Sequence, residues 1–496
     1  MYRIHHAPRG EVVVTQFDVS VNGEKTFPWF CRVSAMPYNT VWPGLQRPIE
    51  QTETASFISF EMEEPVLLKV KPARAFDEVV IRPLSKKVQW EVKDGEILFT
   101  IEKPGAYTLE LDGYHQPLHI FANPLIDFDV DINDPKVHYY GPGVHEVGNI
   151  ELQDGETLFV DAGAVLYGSV CAIHKKNVRV LGYGVIDGSR EERTSKTRLL
   201  AGTRDAAGDE LTDEKTLRDF IKEKKVLNGC VHLYSCRNAE IKGIIARDSS
   251  TFAYIVADCD YVDCDGIKTI GMWRYNSDGI DLFNSRYVRI ANGFFRDFDD
   301  CIVLKGIDGW ADKDQHHITV SGCTVWCDWG SALEIGAETC AHEYHDILWE
   351  DCCVIHAAHV FMRTHNTDRA YVHDMILRNI HCEYSKYDME CAYQSDMTVF
   401  FDEVKKPGHA ELICSPIYDG PYSNDHILGK TARIRYENIM VYGPEDMPAP
   451  VCEFVGQDEE HCNKNIVIKN VSINGKRVGA QALNIRKGPF DEVIVG

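Results

Sequence analysis

The sequence has few positive charges for its length. Its 496 residues include 52 Lys and Arg against 76 Asp and Glu, which gives a formal net charge of −24. This excess of acid argues against nucleic acid and anionic membrane surfaces as partners, because both would repel the protein. It also disfavours a polyanionic substrate, although a local basic patch would outweigh the average charge.

Segments that target a protein to a membrane or carry it across are also missing. No apolar run approaches the 18 residues of a spanning helix, and the start, MYRIHHAPRG, lacks the apolar core of a signal peptide. The 17 cysteines are odd in number and scattered through apolar strands, as at Cys264 and Cys301. This usage indicates reduced, buried thiols. We therefore expect a cytoplasmic protein with no membrane partner.

Metal-binding motifs are absent in their standard forms. Cys323 and Cys327 do not match the usual spacing of a zinc site. The run that starts at Asp127 begins like an EF-hand calcium loop, but Ile132 stands where the loop needs glycine and His138 where it needs glutamate. The sequence therefore predicts neither a metal nor another cofactor.

A weak repeat runs through the chain from about residue 178. Each copy has a short alternating β-branched run, then Gly, Asn or Asp, then a second apolar run, and these turn residues fall at 182, 243, 266, 293, 322, 351, 379, 438 and 470. Two intervals, of 61 and 59 residues, indicate double coils or coils with insertions; the others span 23 to 32. A period of this length built from strands and turns predicts a β-solenoid of about ten coils.

The residues before the repeat have a different pattern. Residues 1–135 contain short alternating strands separated by Pro, Gly or Asp turns, which is typical of a β-sandwich. Residues 136–496 are assigned to a parallel β-helix. Its charged segment at 189–226, poor in β-branched residues, is either a loop and helix at the rim of a cleft or a solvated insertion. The predicted fold class is all-β, a β-sandwich followed by a parallel β-helix.

Three aspartates mark the candidate site. Asp278 precedes the pair Asp299 and Asp300 by 21 and 22 residues. One coil of a parallel β-helix takes about 22 to 30 residues and neighbouring coils stack about 4.8 Å apart, so the carboxyl groups should cluster. Like charges raise at least one pKa, which places a protonated carboxyl beside an ionised one, as glycoside hydrolysis requires. Adjacent strand residues face opposite sides, so both members of the pair reach a cleft only at a strand end or a bulge.

Three sequence blocks carry a family resemblance. NSDGID (276–281), DDCIVLKG (299–306) and WGSALEIGAE (329–338) resemble signature blocks of the polygalacturonase-like glycoside hydrolases, family 28. The preceding sandwich and the start of the solenoid are more similar to the dextranase and isopullulanase relatives of family 49. The resemblance implies a right-handed single-stranded parallel β-helix and an inverting mechanism.

The resemblance also implies roles for individual residues. Asp299, the first aspartate of the pair, would be the general acid. Asp278 and Asp300 would activate and position water, in an order that the sequence leaves open. Lys305 would tune the pair electrostatically, and Asn276 would orient a neighbouring carboxyl.

The third block departs from the family pattern, and so does a later one. Ser331 stands at the family's histidine position and Glu334 at its serine position, while the later Arg-Ile-Lys block keeps Arg363 and has His365 in place of lysine. The missing histidine and lysine help to hold a galacturonate carboxylate in the family, so a neutral sugar fits better. The predicted substrate-binding residues are Asn276, Lys305, Trp310, Glu334, Arg363 and His365.

Together these features predict an inverting glycoside hydrolase that acts on neutral oligosaccharides, α-glucan or dextran-like, of short length because no export signal is present. An exo-galacturonidase or polygalacturonase acting on pectic oligosaccharides is the alternative. A lyase is disfavoured because its base is normally Lys or Arg with calcium nearby, and a non-catalytic solenoid because the three aspartates are intact. The sugar, linkage, anomer, endo or exo action and oligomeric state, including a homo-oligomer, stay open.

Overall fold

The regular structure of the protein is almost entirely β. The computed structural model describes residues 1–35, 49–190, 229–307, 313–385, 410–420 and 426–496. Short 3₁₀ turns occur at Ile49–Gln51, Leu84–Lys86 and Ala480–Ala482. Among these residues there is no helix long and apolar enough to cross a bilayer.

Two sheets form the N-terminal sandwich. The first contains β1 (Tyr2–Ile4), β4 (Trp29–Ser34), β5 (Thr52–Met62), β7 (Val79–Arg82), β10 (Gly105–Leu111) and β11 (Leu118–Pro124). The second contains β2 (Phe17–Val21), β3 (Glu24–Thr26), β6 (Val66–Pro72), β8 (Trp90–Lys93) and β9 (Glu96–Ile101). Alternate residues such as Val19 on β2 and Phe60 on β5 share one core between the sheets, as period-2 alternation requires.

The remaining strands stack in parallel as three ladders. The first ladder contains β12 (Val137–Tyr140), β14 (Thr157–Val160), β16 (Arg179–Leu181), β19 (Arg237–Lys242), β22 (Asp260–Asp265), β25 (Arg286–Ala291), β28 (Gln315–Ser321), β31 (Glu343–Glu350), β34 (Tyr371–Glu383), β36 (Lys430–Tyr442), β38 (Asn463–Lys464), β39 (Ile466–Ile473) and β42 (Val493–Val495). The second contains β13 (Gly143–Glu151), β15 (Ala164–Ile173), β17 (Val185–Asp187), β20 (Ile245–Arg247), β23 (Lys268–Ile270), β26 (Phe294–Asp297), β29 (Thr324–Cys327) and β32 (Cys353–Ala357). The third contains β18 (Val231–Tyr234), β21 (Tyr254–Ala257), β24 (Ile280–Phe283), β27 (Ile302–Gly306), β30 (Ser331–Thr339), β33 (Val360–Thr364), β35 (Glu411–Pro416), β37 (Val451–Val455) and β41 (Asn484–Lys487). The short β40 (Lys476–Arg477) forms a hairpin with β39.

The repeated turn residue lies at the corner between the first two ladders. Gly, Asn or Asp there adopts the left-handed conformation, as at Gly322, Asp351 and Asn379, because these residues tolerate positive φ best. The side-chain amides also join neighbouring coils: Asn379 Nδ2 donates to Asp351 Oδ1 at 2.9 Å, and Asn438 Nδ2 donates to Asn379 Oδ1 at 2.9 Å. In one coil the left-handed residue is Asn292 rather than the expected position 293.

The strand pairing shows whether the two long intervals between turn residues, of 61 and 59 residues, hold one coil or two. Strand β16 pairs directly with β19, and β34 pairs directly with β36. Each long interval is therefore one coil that carries an insertion, not two coils. In the described residues the first ladder has twelve successive coil strands, not counting β38, the second has eight and the third nine, which agrees with the expected number of about ten coils.

The sandwich packs against the second ladder of the β-helix. Phe121 on β11 lies 5.1 Å from Phe294 on β26 between ring centroids, and Arg296, also on β26, donates from Nη1 to His119 Nε2 at 3.0 Å. The contact cluster also includes Trp29 of the sandwich and Val185 of the β-helix, all nearly inaccessible to solvent. Strand β26 is thus held from outside just before the chain turns toward Asp299.

The predicted fold class is confirmed: an all-β chain with an N-terminal sandwich and a parallel β-helix. The division at residue 135 and the character of the segment at 189–226 stay predictions, since almost all of that segment lies outside the described residues. The described cysteines are buried, and no disulfide joins them there.

The interface between sandwich and β-helix generates a prediction. Phe121→Ala should lower the free energy of unfolding by about 3–5 kcal/mol, because it leaves a cavity between Phe57 and Phe294. Catalytic activity should also fall, since β26 leads into the aspartate pair. Chemical denaturation and turnover assays measure both effects. Phe27→Ala is the control, because that side chain is 53% exposed. Equal losses of stability and activity in both variants would contradict a supporting role of the interface.

Candidate active site

Asp278 and the Asp299–Asp300 pair sit at the same corner of neighbouring coils. Asp278 lies just before β24, while the pair lies between β26 and β27. Ile280 pairs with Ile302, a register of 22 residues, and Gly279 N donates to Asp300 O at 2.8 Å. Because the pair lies in a turn between two strands, both carboxyls can face the same side. The pair therefore avoids the alternation of side chains along a strand, which would point Asp299 and Asp300 to opposite sides.

Two glycines allow the coils to approach this corner closely. A Cβ on Gly330 would lie 2.6 Å from the backbone nitrogen of Asp300, and one on Gly279 would lie 2.3 Å from the carbonyl oxygen of Cys301. Any larger residue would force the strands apart. With glycine at 330, Ser331 N donates to Asp300 Oδ1 at 2.9 Å, which helps to fix that carboxyl.

The three carboxyl groups form one compact cluster. One oxygen from each of Asp278, Asp299 and Asp300 lies within 4.8 Å of the other two. Asp299 Oδ1 accepts from the backbone nitrogen of Asp300 at 3.1 Å, and its Oδ2 accepts from Asn276 Nδ2 at 3.4 Å. The Asp278 and Asp299 residues are 1% and 7% exposed, and the Asp300 side chain is 14% exposed. The cluster therefore opens to solvent mainly at Asp300.

The ammonium of Lys305 lies among the carboxyls. Its Nζ is 2.9 Å from Asp278 Oδ2, 3.4 Å from Asp281 Oδ1, 3.5 Å from Asp300 Oδ2 and 3.7 Å from Glu338 Oε2. Burial by itself lowers the pKa of Lys305, but these carboxylates outweigh it and raise that pKa well above its usual value. Lys305 is thus a permanent cation that offsets part of the negative charge, most directly that of Asp278.

Several carboxyls of the cluster hold their protons more strongly than usual. Burial, followed by the charges of Asp278 and Asp300, raises the pKa of Asp299 well above its ordinary range. Burial and the charge of Glu334 raise the pKa of Asp300 to about 7. Burial also raises the pKa of Glu338 to about 7 and that of Asp281 well above its usual range. The site therefore combines proton donors with a lysine-paired carboxylate.

A second group borders the cluster on the next coils. Glu334 on β30 is in register with Arg363 on β33. Its Oε1 lies 3.7 Å from Arg363 Nη1 and 3.2 Å from His365 Nδ1. The other ring nitrogen of His365, Nε2, lies 2.6 Å from the Tyr418 hydroxyl. Arg363 and His365 both face the same internal carboxylate.

The structure brings most of the predicted residues together. Asn276, Lys305, Glu334, Arg363 and His365 all lie in or beside the aspartate cluster. Trp310 lies outside the described residues. Trp329, close to the site in sequence, packs on Phe298 at 5.6 Å between ring centroids, in a stacked arrangement.

Sequence reasoning missed three residues of the site. Asp281 closes the block NSDGID, and Glu338 closes WGSALEIGAE. Asp281 lies three residues after Asp278, and Glu338 four residues after Glu334; that spacing was the available signal. Tyr418 follows β35 in a region with no motif, so only the fold reveals it.

Two groups of side chains bring possible metal ligands within 4.8 Å of one another in the described residues. One is the aspartate cluster itself; the other is Glu411, Cys414 and Glu453. In the first, the ammonium of Lys305 already supplies a compensating positive charge. The second mixes one thiol with two carboxylates and matches no standard structural zinc site.

Comparison with known proteins agrees with this geometry. Residues 176–390 match the family model Glycosyl hydrolases family 28. This match supports O-glycosyl hydrolase activity in that part of the chain. None of the curated proteins matches the chain. The matched segment includes the aspartate cluster, Lys305, Glu334 and Arg363.

Two solved structures share the fold of the whole chain or most of it. Dex49A from Penicillium minioluteum is 12% identical with a TM-score of 0.63, and the alignment covers 99% of this chain and 96% of that one. A hyperthermoactive exopolygalacturonase from Thermotoga maritima is 17% identical with a TM-score of 0.51, covering 69% of this chain and 84% of that one. Both likenesses concern the fold alone.

The environment of Lys305 generates a prediction. Lys305→Met should destabilise the protein by about 3–5 kcal/mol near pH 8, because buried carboxylates lose their compensating charge. A carboxyl whose pKa is raised in the folded state stabilises the protein at low pH, and this stabilisation is lost as the pH rises through the folded-state pKa. For Asp300 and Glu338 that pKa is about 7. The loss should therefore shrink toward pH 5, as thermal melts at both pH values would measure.

The matched control is Lys464→Met, which removes a half-buried lysine paired with Glu492 at 3.1 Å. It should leave the stability almost unchanged at either pH, because an ion pair at the surface is screened by solvent. A pH-independent loss in Lys305→Met would argue that its hydrophobic stem, not its charge, matters.

Proposed function

We propose that the protein hydrolyses glycosidic bonds of neutral oligosaccharides at the Asp278–Asp299–Asp300 cluster, by an inverting mechanism. The observation that carries the proposal is that carboxyl oxygens of Asp278, Asp299 and Asp300 lie within 4.8 Å of one another, with Asp278 Oδ2 2.9 Å from the Lys305 ammonium; burial raises the pKa of Asp299 in the same cluster. Hydrolysis of a glycoside requires both a proton donor for the leaving oxygen and a base for the attacking water.

Asp299 is the proposed general acid. Burial, followed by the charges of Asp278 and Asp300, raises the pKa of Asp299, and this favours the protonated form that a proton donor must have when the leaving oxygen becomes basic. The Asn276 amide and the Asp300 backbone amide donate to its oxygens and hold the carboxyl in one orientation.

Asp278 is the proposed base, with Asp300 as the group that positions water. Asp278 makes the shortest contact to the Lys305 ammonium, which stabilises its negative charge at working pH. The Asp300 side chain is more exposed and its pKa is about 7, so it can share a proton with a water molecule entering from solvent.

A neutral substrate is supported by the charges around the cluster. Six carboxyl groups, those of Asp278, Asp281, Asp299, Asp300, Glu334 and Glu338, lie in or beside the site. Lys305 faces four of them, while Arg363 and His365 face Glu334. A substrate carboxylate would meet cations that are already compensated. An α-glucan or dextran-like chain would bring no further charge into the site.

The acid role predicts the effect of Asp299→Asn. Activity on an oligosaccharide should fall by a factor of about 10² to 10⁴, because the proton donor is lost while the shape is kept. The loss should be smaller on p-nitrophenyl glycosides, whose leaving group needs less protonation. The decline of wild-type activity toward high pH should also disappear in the variant. Steady-state kinetics on both substrate types tests this.

Asp297→Asn is the matched control. That equally buried carboxyl, two residues earlier, accepts a hydrogen bond from Thr269 at 2.9 Å, and its pKa is raised by burial. It should keep near-normal activity. Asp278→Asn should instead lose activity on both substrate types alike, since water activation is needed whatever departs. Near-normal turnover of an oligosaccharide by Asp299→Asn would refute the assignment.

The stereochemical outcome is a separate prediction. Inverting enzymes usually separate their carboxyls by about 6.5–9.5 Å and retaining enzymes by about 5–5.5 Å. The 4.8 Å here is a closest approach of single oxygens, not the separation of the carboxyl groups, and the family resemblance implies inversion. We expect inversion, with the first sugar released in the opposite anomeric form, as proton NMR of a fresh digest would detect. A retained anomer would make one aspartate the nucleophile.

A further inference from the structure

His365 lies between two side chains that come from different coils. The residue is 4% exposed. Its Nδ1 lies 3.2 Å from Glu334 Oε1, and its Nε2 lies 2.6 Å from the Tyr418 hydroxyl. Because an ionised carboxylate can only accept, Nδ1 carries the proton that points to Glu334, and with the ring neutral Nε2 accepts from the hydroxyl. The imidazole is thus a link between these two side chains.

The backbone holds both ends of this link in place. Asn366, which follows His365, forms a parallel β-bridge with Ile417. Tyr418 comes next in the chain, and its backbone nitrogen donates to Asn366 O at 3.2 Å. The rings of Tyr418 and His365 also contact each other, with 5.4 Å between their centroids. The stacking of the coils therefore sets the distance between hydroxyl and imidazole.

Glu334 connects this link to the candidate active site. Burial, then the charge of Glu334 and a side-chain hydrogen bond with it, raise the pKa of Asp300 to about 7. Two carboxyl groups form a hydrogen bond only when one of them holds a proton, and the raised pKa places that proton on Asp300. Glu334 thus accepts from His365 on one side and from Asp300 on the other. A continuous series of hydrogen bonds runs from Tyr418 to Asp300.

We propose that this series, the Tyr418–Asp300 chain, positions Asp300 for the attack of water. Its inner members are His365 and Glu334. Each member acts through the next one, so Tyr418 and His365 are positioning residues that act on the reaction without contact with the sugar. The inference rests on the proposed glycosidase function, in which Asp300 positions the water, and it adds the side chains that hold Asp300 itself.

The physical reason is that the Asp300 carboxyl borders the solvent and needs several contacts to keep one orientation. The backbone nitrogen of Ser331 donates to its Oδ1 at 2.9 Å, and the Lys305 ammonium lies 3.5 Å from its Oδ2. The contact with Glu334 adds a further direction. A misplacement of about 1 Å at a reacting group can lower the rate by about 10²-fold, so an orientation fixed in this way favours turnover.

The test removes the outer end of the chain and keeps its shape. Tyr418→Phe deletes the hydroxyl that contacts His365, and kcat on an oligosaccharide should fall about tenfold while KM changes by less than about twofold. The loss should be equal on p-nitrophenyl glycosides, since water must attack whatever departs. His365→Asn keeps an amide nitrogen near the place of Nδ1 as a donor to Glu334 but does not reach Tyr418, so it should lose the same factor.

Tyr442→Phe is the matched control. The Tyr442 hydroxyl lies 2.9 Å from His381 Nδ1 on the first ladder, with ring centroids 5.8 Å apart. The variant therefore breaks the same kind of tyrosine–histidine contact in another part of the β-helix, and it should keep a normal kcat. Thermal melts verify that each variant is folded. A folded Tyr418→Phe whose kcat matches that of Tyr442→Phe would overturn the inference.

A double-mutant cycle separates positioning from a general loss of structure. In an Asp300→Ala background the chain has no carboxyl to position, so adding Tyr418→Phe should lower activity by less than about twofold. Losses that multiply would show that Tyr418 acts independently of Asp300, and would overturn the inference while leaving the glycosidase function standing.

Crystal structures provide a readout that needs no turnover. The Asp300 carboxyl should have one orientation in the wild type and be shifted or disordered in Tyr418→Phe. An unchanged carboxyl would count against the chain. A wild type that cleaves no glycoside but shows this shift would refute the proposed function and leave the positioning of Asp300 in place.

Discussion

The buried ammonium of Lys305 is the interaction on which the candidate site depends. Carboxyls packed as closely as Asp278, Asp281, Asp300 and Glu338 would repel one another strongly in a site shielded from water. One permanent cation within 3.7 Å of all four reduces that repulsion. The compensation is incomplete: burial, followed by the remaining negative charge of Asp278 and Asp300, raises the pKa of Asp299 well above its ordinary range. Stability and acid–base chemistry therefore have the same origin here.

The stacked coils convert sequence spacing into this arrangement. Residues about one coil apart lie on top of each other, so a register of 22 residues places Asp278 over Asp300. The same stacking brings Glu334 onto Val303 and Arg363 onto Glu334. The site spans four coils, so a substitution on one strand changes one part of it. Its balance of charge depends on which side chains occupy register positions on neighbouring coils.

The sandwich contributes to the site from outside. It contacts the second ladder through Phe121 and His119, and the strand it holds, β26, ends two residues before Asp299. The turn that carries the aspartate pair is therefore fixed on one side by the sandwich and on the other by the close approach of Gly330. A rigid turn keeps the proton donor and the water-activating groups in a constant relation, as preorganised catalysis requires.

Local pattern was sufficient for the fold class and for the core of the site. Alternating strands, the left-handed turn residues and the aspartate spacing are properties of short segments, and a β-helix repeats those segments in space. For that reason Asp278, Asp299, Asp300, Lys305 and Glu334 could be named from the sequence. The two long intervals between turn residues, of 61 and 59 residues, could each have held one coil or two. Strand pairing between distant residues decides this, and a short segment of sequence does not specify that pairing. The ion pairs of Lys305, the contact of Tyr418 with His365, and the ion pairs of Glu334 with Arg363 and His365 likewise arise only when several coils meet, because each depends on distances across the stack and not along the chain.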